Sequence, residues 1–337
     1  MSRLWKHKSN RKGGINMSGF GTTVTEIKKE EKEAKAKAKV QAKATAAVSN
    51  DDPFAHLRAE QTMMEKAKAQ RYDFIGVAGF DGTCKSGIML DWFAKDTTKD
   101  PNAKLHVLDF DMGVAMLASA LHTEEDNIVS WNPWAMAVND RTAYNYPATH
   151  QRVMDIMKYI HDQATKGNPV WGVIISGVDS WLEICANNMR IVDLGLSNDA
   201  IEAADGSGSA KVEKQATWAI RNTRFHQLTA LSRDLVRLGV KVIWETHMAT
   251  KDFYGPNKRF VPDWEKRTNN YLPTILLTEK EEELDEDGEL VAIHYYVKFS
   301  KAKMNPELQD KRRKVFTTRP EGEPEWFGLP ELYDGSL

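Results

Sequence analysis

From residue 72 onward, short apolar runs alternate with longer stretches of helical periodicity. Tyr72–Ala78 is a largely apolar run, Gly79–Gly87 a glycine-bearing turn and Ile88–Lys95 a helix. Lys104–Asp109 reads as a second strand, Val114–Leu121 as a helix, and residues 147–166 as another, with Val153, Ile156, Met157 and Ile160 on one face. Val170–Ile175 is a third strand, followed by helical segments at Trp181–Arg190 and Thr217–Leu238 and a fourth strand at Val240–Glu245. The strands lack polar alternation, as expected when both sheet faces are buried. Strand–helix alternation of this kind predicts an α/β fold with a mostly parallel sheet and helices on both faces. Farther on, Tyr271–Thr278 and Leu290–Phe299 read as strands on either side of an acidic loop, Glu279–Glu289. Asp287-Gly288 is a hairpin signal, so this pair is expected to be antiparallel.

The flanks have a different texture. Residues 1–24 are basic and aperiodic, and residues 25–47 are rich in Lys, Ala and Glu without an apolar stripe. Residues 1–50 are therefore expected to be a solvated helical or disordered arm. Asp51-Asp52-Pro53 resembles a capped helix start, so residues 51–71 are read as a helix leading into the core. A core domain over 72–318 and a Pro/Gly-rich tail over 319–337, which contains Trp326 and Phe327 and is expected to dock on the body, complete the organisation. Residues 204–210 read as a flexible loop.

Composition sharpens this picture. The hydrophobic fraction is 41%, sufficient for a sizeable core. Net charge is only −2, yet residues 1–50 hold 12 Lys/Arg against 4 Glu. A basic arm on a mildly acidic body attracts phosphate backbones. No run approaches the ~18–20 apolar residues of a membrane span. The N-terminus lacks the apolar stretch of a secretory signal, so a cytoplasmic location is expected. Two cysteines, with no CxxC or HExxH spacing, exclude a disulfide framework and argue against zinc.

The chemistry centres on Gly79-Phe80-Asp81-Gly82-Thr83-Cys84-Lys85-Ser86-Gly87, between a strand and a helix. That context suits a phosphate-binding loop. Backbone N–H groups of Gly79, Asp81, Gly82, Thr83 and Cys84 would converge at the helix N-terminus and favour an anion. Lys85 would neutralise the β- and γ-phosphates of a nucleoside triphosphate, and the Ser86 hydroxyl would ligate Mg²⁺. Cys84 stands where the pattern has glycine. Its Cβ crowds the phosphates, and its thiol is a candidate point of oxidation sensitivity.

With these residues on view, the chain resembles RecA-like P-loop ATPases, particularly phage RecA-like nucleotide-binding proteins linked to single-strand annealing. The resemblance spans roughly residues 72–318 and implies a RecA-like core, ATP and Mg²⁺ as ligands, and phosphoanhydride hydrolysis. It makes Asp111, in Val107-Leu108-Asp109-Phe110-Asp111, the candidate general base, with Asp where the family has Glu. The strand Val173-Ile174-Ile175 should end in an acid near Mg²⁺, but Ser176 stands there. Either Asp179 swings in, or Ser176 and a water substitute. Glu245, Thr246 and His247 compete as γ-phosphate sensor, with His247 the named candidate. Lys301 and Lys303 resemble the paired lysines that RecA filaments place against a neighbour's ATP, which implies a homo-oligomer, ring or filament.

Residues 248–270 read as a loop, and the equivalent loop contacts single-stranded DNA in RecA-like recombinases. Lys251, Phe253, Tyr254, Lys258, Arg259, Phe260, Lys266 and Arg267 interleave cations with aromatics. Such a mixture suits a single strand, with charge tracking the backbone and rings stacking on bases. The expected function is an ATP-dependent protein acting on single-stranded DNA in viral recombination or replication. The alternatives are a nucleotide-binding switch with little turnover and a non-enzymatic scaffold.

Overall fold

Consecutive side chains of the apolar strands go to opposite sides of one sheet. Phe74, Leu108, Val173, Ile175, Val242 and Trp244 join one buried cluster. Their neighbours Ile75, Val77, Val107, Ile174 and Ile243 join another. Uninterrupted apolar runs are therefore a consequence of a sheet buried on both faces. The computed structural model describes residues 73–121, 127–137, 143–197, 200–201, 215–251, 259–335 and 337. These fall in the unit Glu65–Leu337. The expected arm over 1–50, the helix over 51–71 and the loop over 204–210 lie outside the described residues.

The strands are β1 (Phe74–Gly79), β2 (Lys104–Asp109), β3 (Ile128–Trp131), β4 (Val170–Ser176), β5 (Lys241–Lys251), β6 (Arg259–Pro262), β7 (Thr274–Leu284), β8 (Leu290–Ala302), β9 (Arg312–Thr318) and β10 (Glu325–Trp326). The helices are α1 (Lys85–Lys95), α2 (Val114–Leu121), α3 (Tyr146–Thr165), α4 (Val178–Val192), α5 (Gln215–Arg237), and the single turns α6 (Thr268–Tyr271) and α7 (Pro330–Tyr333). The sheet has ten strands in the order β10-β9-β8-β7-β1-β5-β4-β2-β3, with β6 paired to β5 alone. The segment from β3 to β7 is parallel, and β8, β9 and β10 extend it antiparallel. The fold is thus α/β, with a mostly parallel sheet carrying antiparallel C-terminal strands.

One face is covered by α3, α4 and α5 through residues such as Met157, Trp181, Ile184, Phe225 and Leu228. The other is covered by α1 and α2, with Leu329, Leu332 and Leu337 of the tail packed into the same cluster. Tyr333 donates a hydrogen bond to Asp91 of α1, and Arg313 pairs with Glu331 at 2.8 Å. These contacts hold the tail on the α1 face. No described helix is long and apolar enough to cross a membrane.

Two local readings change. The acidic stretch read as a loop is mostly strand: β7 runs to Leu284, and the turn is confined to 285–289. Asp285 accepts hydrogen bonds from the amides of Asp287 and Glu289, and Gly288 takes φ 83. Ladder bonds hold the acidic residues extended, and Arg312 offsets their repulsion by reaching Glu279 (3.1 Å) and Glu281 (2.6 Å). β3, β6, β9 and β10 were not evident in the sequence. They are short or half-exposed strands without an apolar run, so periodicity gives no signal.

Candidate functional site

Because β1, β2, β4 and β5 run parallel, their carboxyl ends meet along one edge, the usual ligand position in open α/β sheets. The glycine turn leaves β1 there. A Cβ on Gly79 would lie 1.9 Å from Thr278 Oγ1 and 2.5 Å from Thr83 Oγ1. Those two hydroxyls hydrogen-bond each other at 2.7 Å, and Thr83 also donates to the Phe80 carbonyl at 2.7 Å. β7 therefore pins the turn from the side. Gly82 needs glycine for a different reason: open space surrounds it, but its φ is +66°.

Cys84 occupies the left-handed region at φ 66, ψ 28, immediately before α1. That explains the usual glycine there, because the conformation costs an L-residue roughly 1–2 kcal/mol. Burial pushes the Cys84 thiol up to about 12, so it stays protonated at neutral pH. Oxidation proceeds through the thiolate, so the expected oxidation sensitivity has no support here. No side chain caps α1, and its first turn holds no acid. Its leading N–H groups are left facing the turn, where an anion would satisfy them. Lys85 Nζ folds back onto the Gly79 and Phe80 carbonyls, 3.3 Å from each. Gly87 is buried within α1.

The carboxylates divide into three roles. Asp109 accepts from the amides of Gly113 (3.2 Å) and Val114 (2.9 Å), which makes it a cap for α2. Asp111 makes no such cap; partial burial, then the Asp179 charge, raises its carboxyl above the usual range. Asp179, at the start of α4, pairs with His247 Nδ1 at 2.8 Å; its Oδ1 lies 3.4 Å from Thr246 Oγ1, which donates to the Asp263 carbonyl at 2.8 Å. His247 Nε2 lies 2.9 Å from Asp81 in the turn, so one imidazole bridges α4 to the glycine turn. The Asp179 hydrogen bond holds the imidazole above its ordinary value, favouring the charged ring.

Glu245 was only one of three sensor candidates in the sequence. It is fully buried, and its Oε2 accepts the Ser86 hydroxyl at 2.6 Å. Burial raises its carboxyl to about 7. Its Oε1 makes no close hydrogen bond, while the Ser176 hydroxyl, like that of Ser86, acts against the rise. Ser176, at the end of β4, is its register mate on the neighbouring strand. Periodicity could not separate Glu245 from Thr246 and His247, because all three sit where β5 leaves the apolar core. Thr278 gave no sequence signal, since only strand pairing brings β7 against the turn.

β5 continues beyond the sheet edge and pairs with β6, so part of the expected DNA loop is a hairpin. Phe260 packs edge-on against Phe80 of the glycine turn at 4.9 Å. Arg259, Phe260, Lys266 and Arg267 are exposed, whereas Trp264 is buried against β1 at Gly76. Phe253, Tyr254, Lys258 and the Lys251 side chain lie outside the described residues. Lys301 pairs with Ile275 near the start of β7 and donates to the Asn269 carbonyl; Lys303 follows it. Both stand toward the end of the sheet opposite the turn and do not meet Lys85 within the chain.

A depression lined by Asp73, Asp96, Lys241 and Tyr333 also lies at that opposite end. Asp96 is already held there by Trp171 (2.7 Å) and Lys241 (3.3 Å). A pocket lined by Phe80, Thr83, Glu279, Lys280, Glu281 and Arg312 opens beside the glycine turn. The chain matches no protein-family model and no curated protein.

Proposed function

We propose that this chain is a RecA-like P-loop ATPase that binds MgATP at the glycine turn and works as a homo-oligomer on single-stranded DNA in viral recombination or replication. The observation carrying the nucleotide assignment is the uncapped start of α1, with Lys85 and the Ser86–Glu245 pair at the same edge. In this reading the phosphates displace Lys85 from the Gly79 and Phe80 carbonyls and take its charge. Mg²⁺ supplies charge neutralisation to the phosphates. Ser86 and Glu245 offer hard oxygen donors, which suit that ion. No cluster of three or more His, Cys, Asp or Glu among the described residues could hold a metal unaided, so the phosphates complete the set. Asp111 orients and deprotonates the attacking water, its raised proton affinity matching that task.

The Phe80–Phe260 contact supports a link between nucleotide and DNA, because it joins the turn to the hairpin. Arg259, Lys266 and Arg267 are the described cations available to a nucleic-acid backbone. Lys301 and Lys303 would act on a neighbouring copy's ATP, since their own turn is at the other end. The test is ATP hydrolysis with and without single-stranded DNA, beside nucleotide-induced thermal stabilisation. Lys85→Ala is expected to abolish both the stabilisation and the hydrolysis. Unchanged hydrolysis in that variant refutes the assignment.

A second reading, a nucleotide-binding switch with little turnover, is favoured by one observation: the Cys84 Cβ in a left-handed position beside the phosphates. It predicts strong thermal stabilisation by MgATP with negligible phosphate release.

A further inference from the structure

We infer that Glu245, on β5, is the acidic partner of the nucleotide-bound divalent cation, in place of a carboxylate at the end of β4. This inference rests on the proposed MgATP site. In P-loop enzymes the loop hydroxyl ligates the metal and an acid on a nearby strand completes its surroundings. Here the loop hydroxyl is Ser86, and the carboxylate hydrogen-bonded to it at 2.6 Å is Glu245. The β4 position is Ser176, paired in register with Glu245. The acid has moved sideways by one strand, ~4.8 Å, at the same height along the sheet.

Two further observations favour Glu245 over Asp179. Glu245 Oε1 is buried, in a side chain with no exposed surface, and makes no close hydrogen bond of its own; besides Ser86, the Ser176 hydroxyl also acts on this carboxyl. An orphaned buried carboxylate oxygen is costly unless something positive or protic meets it, and a hydrated cation does so. Asp179, by contrast, is committed through Oδ2 to His247 Nδ1 at 2.8 Å, and its Oδ1 lies 3.4 Å from Thr246 Oγ1, which donates to the Asp263 carbonyl. Recruiting that Oδ2 to the metal would break its bond to His247, the residue that reaches Asp81 in the turn. Its role is to position His247 against the turn.

The test uses the full chain and a non-hydrolysable ATP analogue, titrated calorimetrically in EDTA and in Mg²⁺, with Mn²⁺ paramagnetic resonance as a second readout of metal capture. In the wild type, Mg²⁺ is expected to tighten analogue binding. In Glu245→Gln the affinity in EDTA should stay within about twofold, while the Mg²⁺-dependent gain falls by about tenfold or more. The Mn²⁺ signal of the analogue complex should weaken in parallel. Asp179→Asn should retain the gain. The exchange S176D/E245S, which returns a carboxylate to β4, should recover part of it and carries the test even if Glu245→Gln folds poorly. A Glu245→Gln protein with the full Mg²⁺ gain, or an exchange variant with none, overturns the assignment of Glu245 while leaving nucleotide binding intact. A wild type that binds the analogue neither in EDTA nor in Mg²⁺ instead overturns the MgATP reading itself.

Discussion

Replacing Gly79 with alanine tests the architecture of the turn directly. The added Cβ would stand 1.9 Å from Thr278 Oγ1, 2.5 Å from Thr83 Oγ1 and 2.9 Å from the Thr278 carbonyl oxygen. The first two atoms are partners in a buried hydrogen bond, and Thr278 Oγ1 also lies 3.4 Å from the Ala78 carbonyl. The methyl group therefore has to break the Thr83–Thr278 bond and push β7 from β1. Overpacking of this kind costs about 1–3 kcal/mol, and a lost buried hydrogen bond about 1 more. Alanine returns about 0.4–1 kcal/mol by restricting the unfolded chain. The net expectation is a loss of about 1–3.5 kcal/mol, or roughly 2–14 °C in Tm for a domain of this size. Scanning calorimetry of wild type, G79A, T278A and G79A/T278A measures it. Removing the Thr278 hydroxyl first should make G79A at least about 1 kcal/mol less harmful, a coupling expected only of residues in contact. A G79A protein melting within a degree of wild type, or a double variant that is strictly additive, refutes the packing argument.

Two other predictions follow from the same structure. His106 is buried, accepts the Trp131 indole N–H at 3.2 Å, and is held down to about 4 by burial. Its ordinary value is 6.5, so between these limits the unfolded chain takes up a proton that the folded chain refuses. Stability therefore falls as pH drops through this window, by up to about 3 kcal/mol from this group. His106→Gln should lose less Tm than wild type between pH 6.5 and 4.5; an identical loss in both proteins counts against it. Cys84→Gly relieves roughly 1–2 kcal/mol of left-handed strain but loosens the unfolded chain by about 0.4–1 kcal/mol. Its Tm should stay close to wild type while MgATP binds more tightly by calorimetry, and weaker binding would show that the Cβ does not crowd the phosphates.

Much of this candidate site is legible in the sequence. Gly79, Gly82, Lys85 and Ser86 are local in sequence, and a strand before them with a helix after them is also a local pattern. The structure keeps that order and gives each glycine its own reason, absent space at 79 and positive φ at 82. The carboxylates were harder. Asp109, Asp111 and Asp179 could each cap a helix or meet a ligand, and only hydrogen-bond partners separate the capping Asp109 from the His247-bound Asp179. The DNA segment was read as one loop, yet part of it is a β5–β6 hairpin, because ladder pairing overrides its irregular composition.

The sequence by itself determined the alternation of strand and helix, the two-faced burial of the sheet and the position of the glycine turn. These depend on neighbours along the chain, through apolar periodicity and backbone sterics. Tertiary structure alone decided that Glu245 faces Ser86, 159 residues away, and that Thr278 locks Thr83, 195 residues away. It also decided that Lys301 and Lys303 stand away from Lys85. The physical reason is strand order. Pairing β5 and β7 on either side of β1 is set by the summed packing of both sheet faces, and no local pattern encodes which carboxylate that packing brings to the turn.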